Sequence, residues 1–142
     1  MNSLIKSPKF WKISLILCLL TVFVLSALPL KSISVGFELT DKFQHAFEYF
    51  GVGICFMGYF MTNLNKNRAQ AGLLTMFWGG LYAISDEIHQ GFVGYFDSGI
   101  FSGVRQCDWR DLIADCCGLL IAVVVVTAVV NRYFVANNAK IN

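Results

Sequence analysis

Charge is what this sequence has least of. Only 14% of its 142 residues are Asp, Glu, Lys or Arg, against about 25% in ordinary soluble domains. Five cysteines are present, but none has the Cys-x-x-Cys spacing of zinc or dithiol redox sites. Cys18 and Cys55 sit in apolar runs and Cys116 and Cys117 are adjacent, so the cysteines read as small apolar packers. Cys107 and Cys116 would be about 13 Å apart along a helix, too far for a disulfide. No serine is flanked by the glycines of a nucleophile elbow, since Ser85 runs straight into Asp86 and Glu87. There is no Pro/Ser-rich linker and no repeat at a solenoid period, which leaves one compact domain. The basic residues are few and scattered, which excludes a nucleic-acid reader.

What remains is apolar. Hydrophobic residues make up 56% of the chain and the mean hydropathy is +0.61, the composition of an integral membrane protein. Four stretches are long enough to cross a hydrocarbon core of about 30 Å, which needs roughly 20 helical residues. They are Phe10 to Leu30, Phe43 to Leu64, Ala69 to Gln90 and Asp111 to Asn131. The first follows Lys6, Lys9 and Lys12 like a signal peptide, but Ile13 to Leu28 exceeds the usual apolar core of about 7 to 15 residues. A retained anchor is expected.

The expected fold is therefore all-α, an integral membrane bundle of four transmembrane helices. Its parts are a basic N-terminus over 1–12, a single domain over 13–131 and a tail over 132–142. Lys6, Lys9, Lys12, Lys66, Arg68, Arg132 and Lys140 fall on one side, and Lys31, Lys42, Arg105 and Arg110 on the other. Seven against four places both termini in the cytoplasm. All nine acids, Glu38, Asp41, Glu48, Asp86, Glu87, Asp97, Asp108, Asp111 and Asp115, lie toward the exterior. The basic inner rim suits anionic phospholipid headgroups, so membrane lipids are the first expected partners.

The acids are not spread evenly. Residues 71–85 give about 22 Å of helix, so the third span must continue through Asp86 toward Gln90 to cross the bilayer. A charge at mid-bilayer costs roughly 2.5 to 3.5 kcal/mol, less near the surface, so such residues face the bundle interior and meet partners. On the second helix Asp41, His45, Glu48 and Tyr49 fall at i, i+4, i+7 and i+8, one stripe, with Phe43, Ala46, Phe47 and Phe50 on the other faces. On the fourth, Asp108, Asp111 and Asp115 share a face, and on the third Asp86, His89 and Gln90 do, while Glu87 points about 100° away. Three stripes at one depth predict one shared polar pocket.

Helix capping explains part of this pattern, since Asp108 or Asp111 would cap the fourth helix and Thr40 or Asp41 the second. It does not explain Glu48 and Asp115, two turns inside their helices, or Asp86 at a C-terminal end. So many acids in a low-dielectric site need compensation. Arg105 and Arg110 are the obvious counter-charges and Lys42 a third; protonated carboxyls or a bound cation are the alternatives. His45-x-x-Glu48 and Asp86-x-x-His89 are i, i+3 carboxylate–imidazole pairs, similar to those of helical di-metal sites, so a divalent metal on His45, Glu48, Asp86 and His89 is one option. No cofactor is specified beyond that.

The connector "GFVGYFDSGIFSGVRQC", with four glycines and four aromatics, reads as a loop on the membrane surface, with Phe92, Tyr95, Phe96 and Phe101 dipping into the interface as a lid over the pocket.

Three blocks in order resemble the VanZ-like family of small bacterial membrane proteins, over about Asp41 to Gly118. They are Asp41-Lys42-x-x-His45 with Tyr49; Asp86-Glu87-x-x-Gln90; and Arg105-x-x-Asp108-x-x-Asp111-x-x-Ala114-Asp115 with Gly118. The family usually has a short Pro-Gly turn before the arginine, replaced here by the longer proline-free connector. The resemblance implies a multi-pass protein of the bacterial inner membrane and a link to glycopeptide antibiotic resistance, the property of the member that names the family. It implies no reaction.

The chemistry supports two main readings. In the first, the pocket of Asp41, Lys42, His45, Glu48, Tyr49, Asp86, Glu87, Gln90, Arg105, Asp108, Asp111 and Asp115 binds an envelope or lipid headgroup or a cation. Arg105 and Arg110 would then hold an anionic group. In the second, an intramembrane hydrolase or transferase acts on a lipid-linked substrate, with His45, Asp86 and His89 as candidate catalytic residues. A proton or ion path is disfavoured, because the inner halves of all four spans carry no polar relay. Gly51-x-Gly53 and Gly79-Gly80 serve equally for internal packing and for contacts between copies, so the oligomeric state is not readable.

Overall fold

The computed structural model describes residues 7–27, 38–96 and 107–138, with side chains over 7–27, 41–92 and 107–133. Among these residues the chain is all-α. The four helices are α1 (Pro8–Ala27), α2 (Glu38–Asn63), α3 (Arg68–Phe96) and α4 (Trp109–Asn138). Arg105 and the connector from 97 to 106 lie outside the described residues, as does Lys31.

Two helices, Pro8–Ala27 and the Trp109–Tyr133 part of α4, are long and apolar enough to cross a membrane. Only 17% and 22% of their most apolar windows are buried, so these are not helices hidden in a soluble core. α2 and α3 are less apolar because each carries acids toward one end: Asp41 and Glu48, with Lys42 beside them, on α2, and Asp86 and Glu87 on α3. Their other residues still turn large apolar side chains outward, including Phe43, Phe47, Leu73, Phe77 and Ile88.

The turn between α2 and α3 shows why the helices stop where they do. Asn65 takes a φ of 50°, a left-handed conformation that Asn tolerates better than most residues. Asn67 then caps α3: its Oδ1 accepts the Gln70 N–H at 2.9 Å, and Gln70 Oε1 accepts the Asn67 N–H at 3.4 Å. This reciprocal pair satisfies two orphan donors of the first turn.

One expectation is corrected here. The third helix does not end at Gln90 but continues to Phe96, so the first residues of the expected surface loop are helical. At about 1.5 Å per residue, α3's 29 residues make it about 43 Å long, more than a bilayer core. Nothing between Gly91 and Phe96 forbids a helix, because the chain has no proline there.

α2 packs most extensively on α4, and α1 and α3 flank them. The α2–α4 approach depends on small residues. A Cβ on Gly53 would lie 2.6 Å from the Ala122 methyl, and one on Gly118 would run into the Ala46 carbonyl oxygen and lie 2.9 Å from the Phe50 nitrogen. Glycine is required at both positions, and the backbones close up to an extent that favours dispersion packing where lipid offers no hydrophobic drive. Gly79 meets Leu119 of α4, whereas Gly80 meets nothing within 4 Å. The apolar core runs through Val52, Met57, Ala71, Ala83 and Leu119.

This up-and-down order sorts charge by end. Among the described side chains, Asp41, Glu48, Asp86, Glu87, Asp108, Asp111 and Asp115 all lie toward one end of the bundle, and Lys9, Lys12, Lys66, Arg68 and Arg132 toward the other.

Candidate functional site

The site begins where α4 begins. Asp108 precedes the helix, its Oδ1 accepts the Arg110 N–H at 2.9 Å, and its carbonyl accepts the Asp111 N–H at 2.9 Å. Asp108 is thus the N-cap expected from the sequence. One and two turns further on, Asp111 and Asp115 turn inward, both buried.

Facing them, α2 supplies Lys42, His45 and Tyr49. The Lys42 ammonium donates to Asp108 Oδ2 at 2.9 Å and to Asp111 Oδ1, and lies 3.6 Å from Asp41. His45 Nδ1 is 3.0 Å from Asp115 Oδ1, and its Nε2 is 4.0 Å from Asp111 Oδ2. Both ring nitrogens therefore face carboxylates. Side-chain exposure falls from 52% at Asp41 through 34% at Asp108 and 26% at Lys42 to 6% at Asp111, 5% at His45 and 0% at Asp115. The polar residues thus run from exposed at the surface to fully buried inside the bundle.

From α3 come Asp86, Glu87 and Gln90, all buried. Gln90 Nε2 donates to Asp86 Oδ2 at 3.1 Å, and Glu87 Oε2 accepts the Asp108 N–H at 2.9 Å. Glu87, although about 100° from Asp86 around the helix, also belongs to the cluster, beside His45 and Asp115. α3 packs against both α2 and α4, so its buried arc is wide enough to take two residues 100° apart.

Three other candidates leave the cluster. His89 faces α1, with Nδ1 3.2 Å from Ser26 Oγ and its ring stacked on Phe23 at a centroid distance of 4.5 Å. Glu48 accepts from Gln44 at 2.9 Å on its own helix. The Arg110 guanidinium lies over the Trp109 ring, 5.8 Å from its centroid. The four candidates for a divalent metal, His45, Glu48, Asp86 and His89, therefore do not come together in one group. Two other groupings do, Asp41 with His45 and Asp111, and His45 with Glu87 and Asp115, each with ligand atoms within 4.8 Å of one another.

Ser26 and Phe23 were missed altogether. Both lie in an apolar run that the expected topology brings to the acidic end, but nothing in that run shows which side chain would meet His89. Tyr82 adds to that contact by donating to the Leu19 carbonyl at 2.6 Å.

The charge inside is unbalanced. Asp86, Glu87, Asp111 and Asp115 are buried, while Lys42 and His45 are the basic groups among them in the described residues. Among the described residues, Asp86 Oδ1, Glu87 Oε1, Asp115 Oδ2 and the Tyr49 hydroxyl are buried and without a hydrogen-bond partner. Unpartnered buried acceptors are costly, so something positive or protonated must accompany them. Asp108, outside the span, has its carboxyl held below the usual range by the Arg110 N–H and then by Lys42.

A family model described as VanZ/LLP1 matches residues 3–131. The chain belongs to the VanZ/LLP1 family. The three sequence blocks that carried the resemblance are thus the α2, α3 and α4 contributions to one buried cluster, as far as they are described. No curated protein and no solved structure matches this VanZ/LLP1 chain. A shallow groove lined by Asn67, Gly72, Met76, Val123 and Asn131 lies at the opposite end of the VanZ/LLP1 bundle, away from the cluster.

Proposed function

We propose that this chain is a four-span protein of the bacterial inner membrane, with both termini cytoplasmic, and that its outer polar cluster binds a positively charged group. That group is a cation or the amine of an envelope-lipid headgroup. Membership of the VanZ/LLP1 family and two strongly apolar helices support the membrane reading. The excess of Lys and Arg at the end opposite the acids, seven against four in the sequence, supports the orientation.

The observation that carries the binding reading is the set of three carboxylate oxygens, on Asp86, Glu87 and Asp115, buried without partners among the described residues at the inner end of the cluster. Lys42 and Arg110, the described Lys and Arg at this end, are not free for an anion, because Lys42 is already held by carboxylates and Arg110 lies over Trp109, while Arg105 lies outside the described residues. Retaining a charged headgroup at the outer leaflet would alter envelope composition or glycopeptide access, the link to resistance that the family implies.

Native mass spectrometry of detergent-purified protein tests this. A bound amine lipid or cation should travel with the wild type and be lost in Asp86→Asn. A bare protein in both would refute the reading.

A second reading, an intramembrane hydrolase or transferase on a lipid-linked substrate, is favoured by one feature, the His45–Asp115 pair that resembles an oriented base. The second carboxylate facing Nε2 works against it, since a general base needs a nitrogen within reach of substrate. Turnover of a lipid-linked substrate that disappears in His45→Gln would establish this reading over the first.

A further inference from the structure

We propose that His45, Glu87 and Asp115 form a binding site for a single divalent transition-metal ion. The proposal rests on the reading that the cluster binds positive charge, and it names the ion and its ligands.

Geometry comes first. One ligand atom from each of the three residues lies within 4.8 Å of the other two, and all three residues are buried. His45 Nδ1 and Asp115 Oδ1 are already 3.0 Å apart. Two atoms bound to one ion at about 2.0 to 2.1 Å in tetrahedral geometry sit about 3.3 Å apart. Small side-chain rotations would therefore bring these groups to ligand distances.

The second observation is independent of that spacing. Glu87 Oε1 and Asp115 Oδ2 are buried without a hydrogen-bond donor among the described residues. Both residues are more than nine-tenths buried, as are Tyr49 and Asp86, whose hydroxyl and Oδ1 are likewise unpartnered. A divalent cation supplies the two positive charges that Glu87 and Asp115 lack.

The groups behind the three ligands match what a metal site needs. A metal-bound imidazole donates its other N–H to a carboxylate, and His45 Nε2 faces Asp111 Oδ2 at 4.0 Å. Asp111 is in turn held by Lys42, and the second Glu87 oxygen is held by the Asp108 N–H at 2.9 Å. The other grouping, Asp41 with His45 and Asp111, is not a metal site, because the Lys42 ammonium already bridges Asp41 and Asp111. One imidazole with two carboxylates selects zinc, manganese or iron over magnesium or calcium. Three protein ligands also leave a coordination position for water or another small ligand.

The test uses the full chain in detergent, loaded with Zn2+ or with Mn2+ alone and freed of excess ion before elemental analysis. The expected result is about one ion per chain in the wild type. Glu87→Gln and Asp115→Asn should lose the ion, and Asp111→Asn should bind it on the order of 10- to 100-fold more weakly. Glu48→Gln and His89→Ala should keep it. Added metal should raise the melting temperature of the wild type and not that of Glu87→Gln, whose own cooperative melt shows that it is folded. No retained ion, or equal retention in Glu87→Gln, overturns the site. Lipid analysis of the same samples separates the two proposals: an amine lipid bound without metal overturns this inference alone, and metal without lipid upholds it while leaving the cation as the ligand.

Discussion

Gly118 of α4 lies against the Ala46 backbone of α2, one residue along from His45 and three from Asp115. This contact holds the two helices close enough for His45 and Asp115 to meet at 3.0 Å. Packing and site are therefore one feature.

Gly118→Ala should destabilise the protein by about 1 to 3 kcal/mol, because the new methyl meets rigid backbone rather than a side chain that can turn away. Gly80→Ala is the control: nothing lies within 4 Å of its Cβ, and it should be neutral or stabilising by up to about 1 kcal/mol through helix propensity. Thermal unfolding in detergent compares the two.

Lys42→Met removes the ammonium shared by Asp108 and Asp111. With Asp111 buried and left unpaired, the loss should be about 1 to 3 kcal/mol. Adding Asp111→Asn should recover part of it, so a double-mutant cycle should give a non-zero coupling. Additive losses would mean that the two residues act separately.

Asp108 supplies the pH dependence. Its carboxyl titrates below the usual range in the folded protein, because the Arg110 N–H and then Lys42 favour the charged form. The stabilisation is therefore complete above the unfolded value of about 3.9 and is lost as pH falls through the lower folded value. Melting curves between about pH 3 and pH 6 should show the wild type losing its advantage over Asp108→Asn at the acid end.

His89 and Ser26 join α3 to α1 rather than to the polar cluster. Ser26→Ala or His89→Ala should cost about 1 kcal/mol and should raise hydrogen exchange in α1, with ligand retention unchanged. If His89→Ala abolished ligand retention, its placement on α1 would be wrong.

Orientation can be read from thiols and one introduced cysteine. Cys107 is exposed at the acidic end and should react with a membrane-impermeant maleimide applied to intact cells. Lys66→Cys in a Cys107→Ser background, at the basic end, should react only after permeabilisation. The reverse pattern would invert the topology.

The sequence by itself determined the helices, the two strongly apolar spans, the collection of acids at one end and the family. Those properties rest on composition and on the 3.6-residue period, which are local. It also identified Lys42, His45, Asp86, Asp111 and Asp115 as inward residues, because each is too polar to face lipid. Which of them meet was decided only by the tertiary structure. A helical stripe gives a direction relative to its own axis, whereas a contact depends on how several axes rotate and approach. Gly53 and Gly118 set the approach of α2 to α4, the position of α3 between them turned Glu87 inward with Asp86, and the docking of α1 drew His89 away to Ser26 and Phe23.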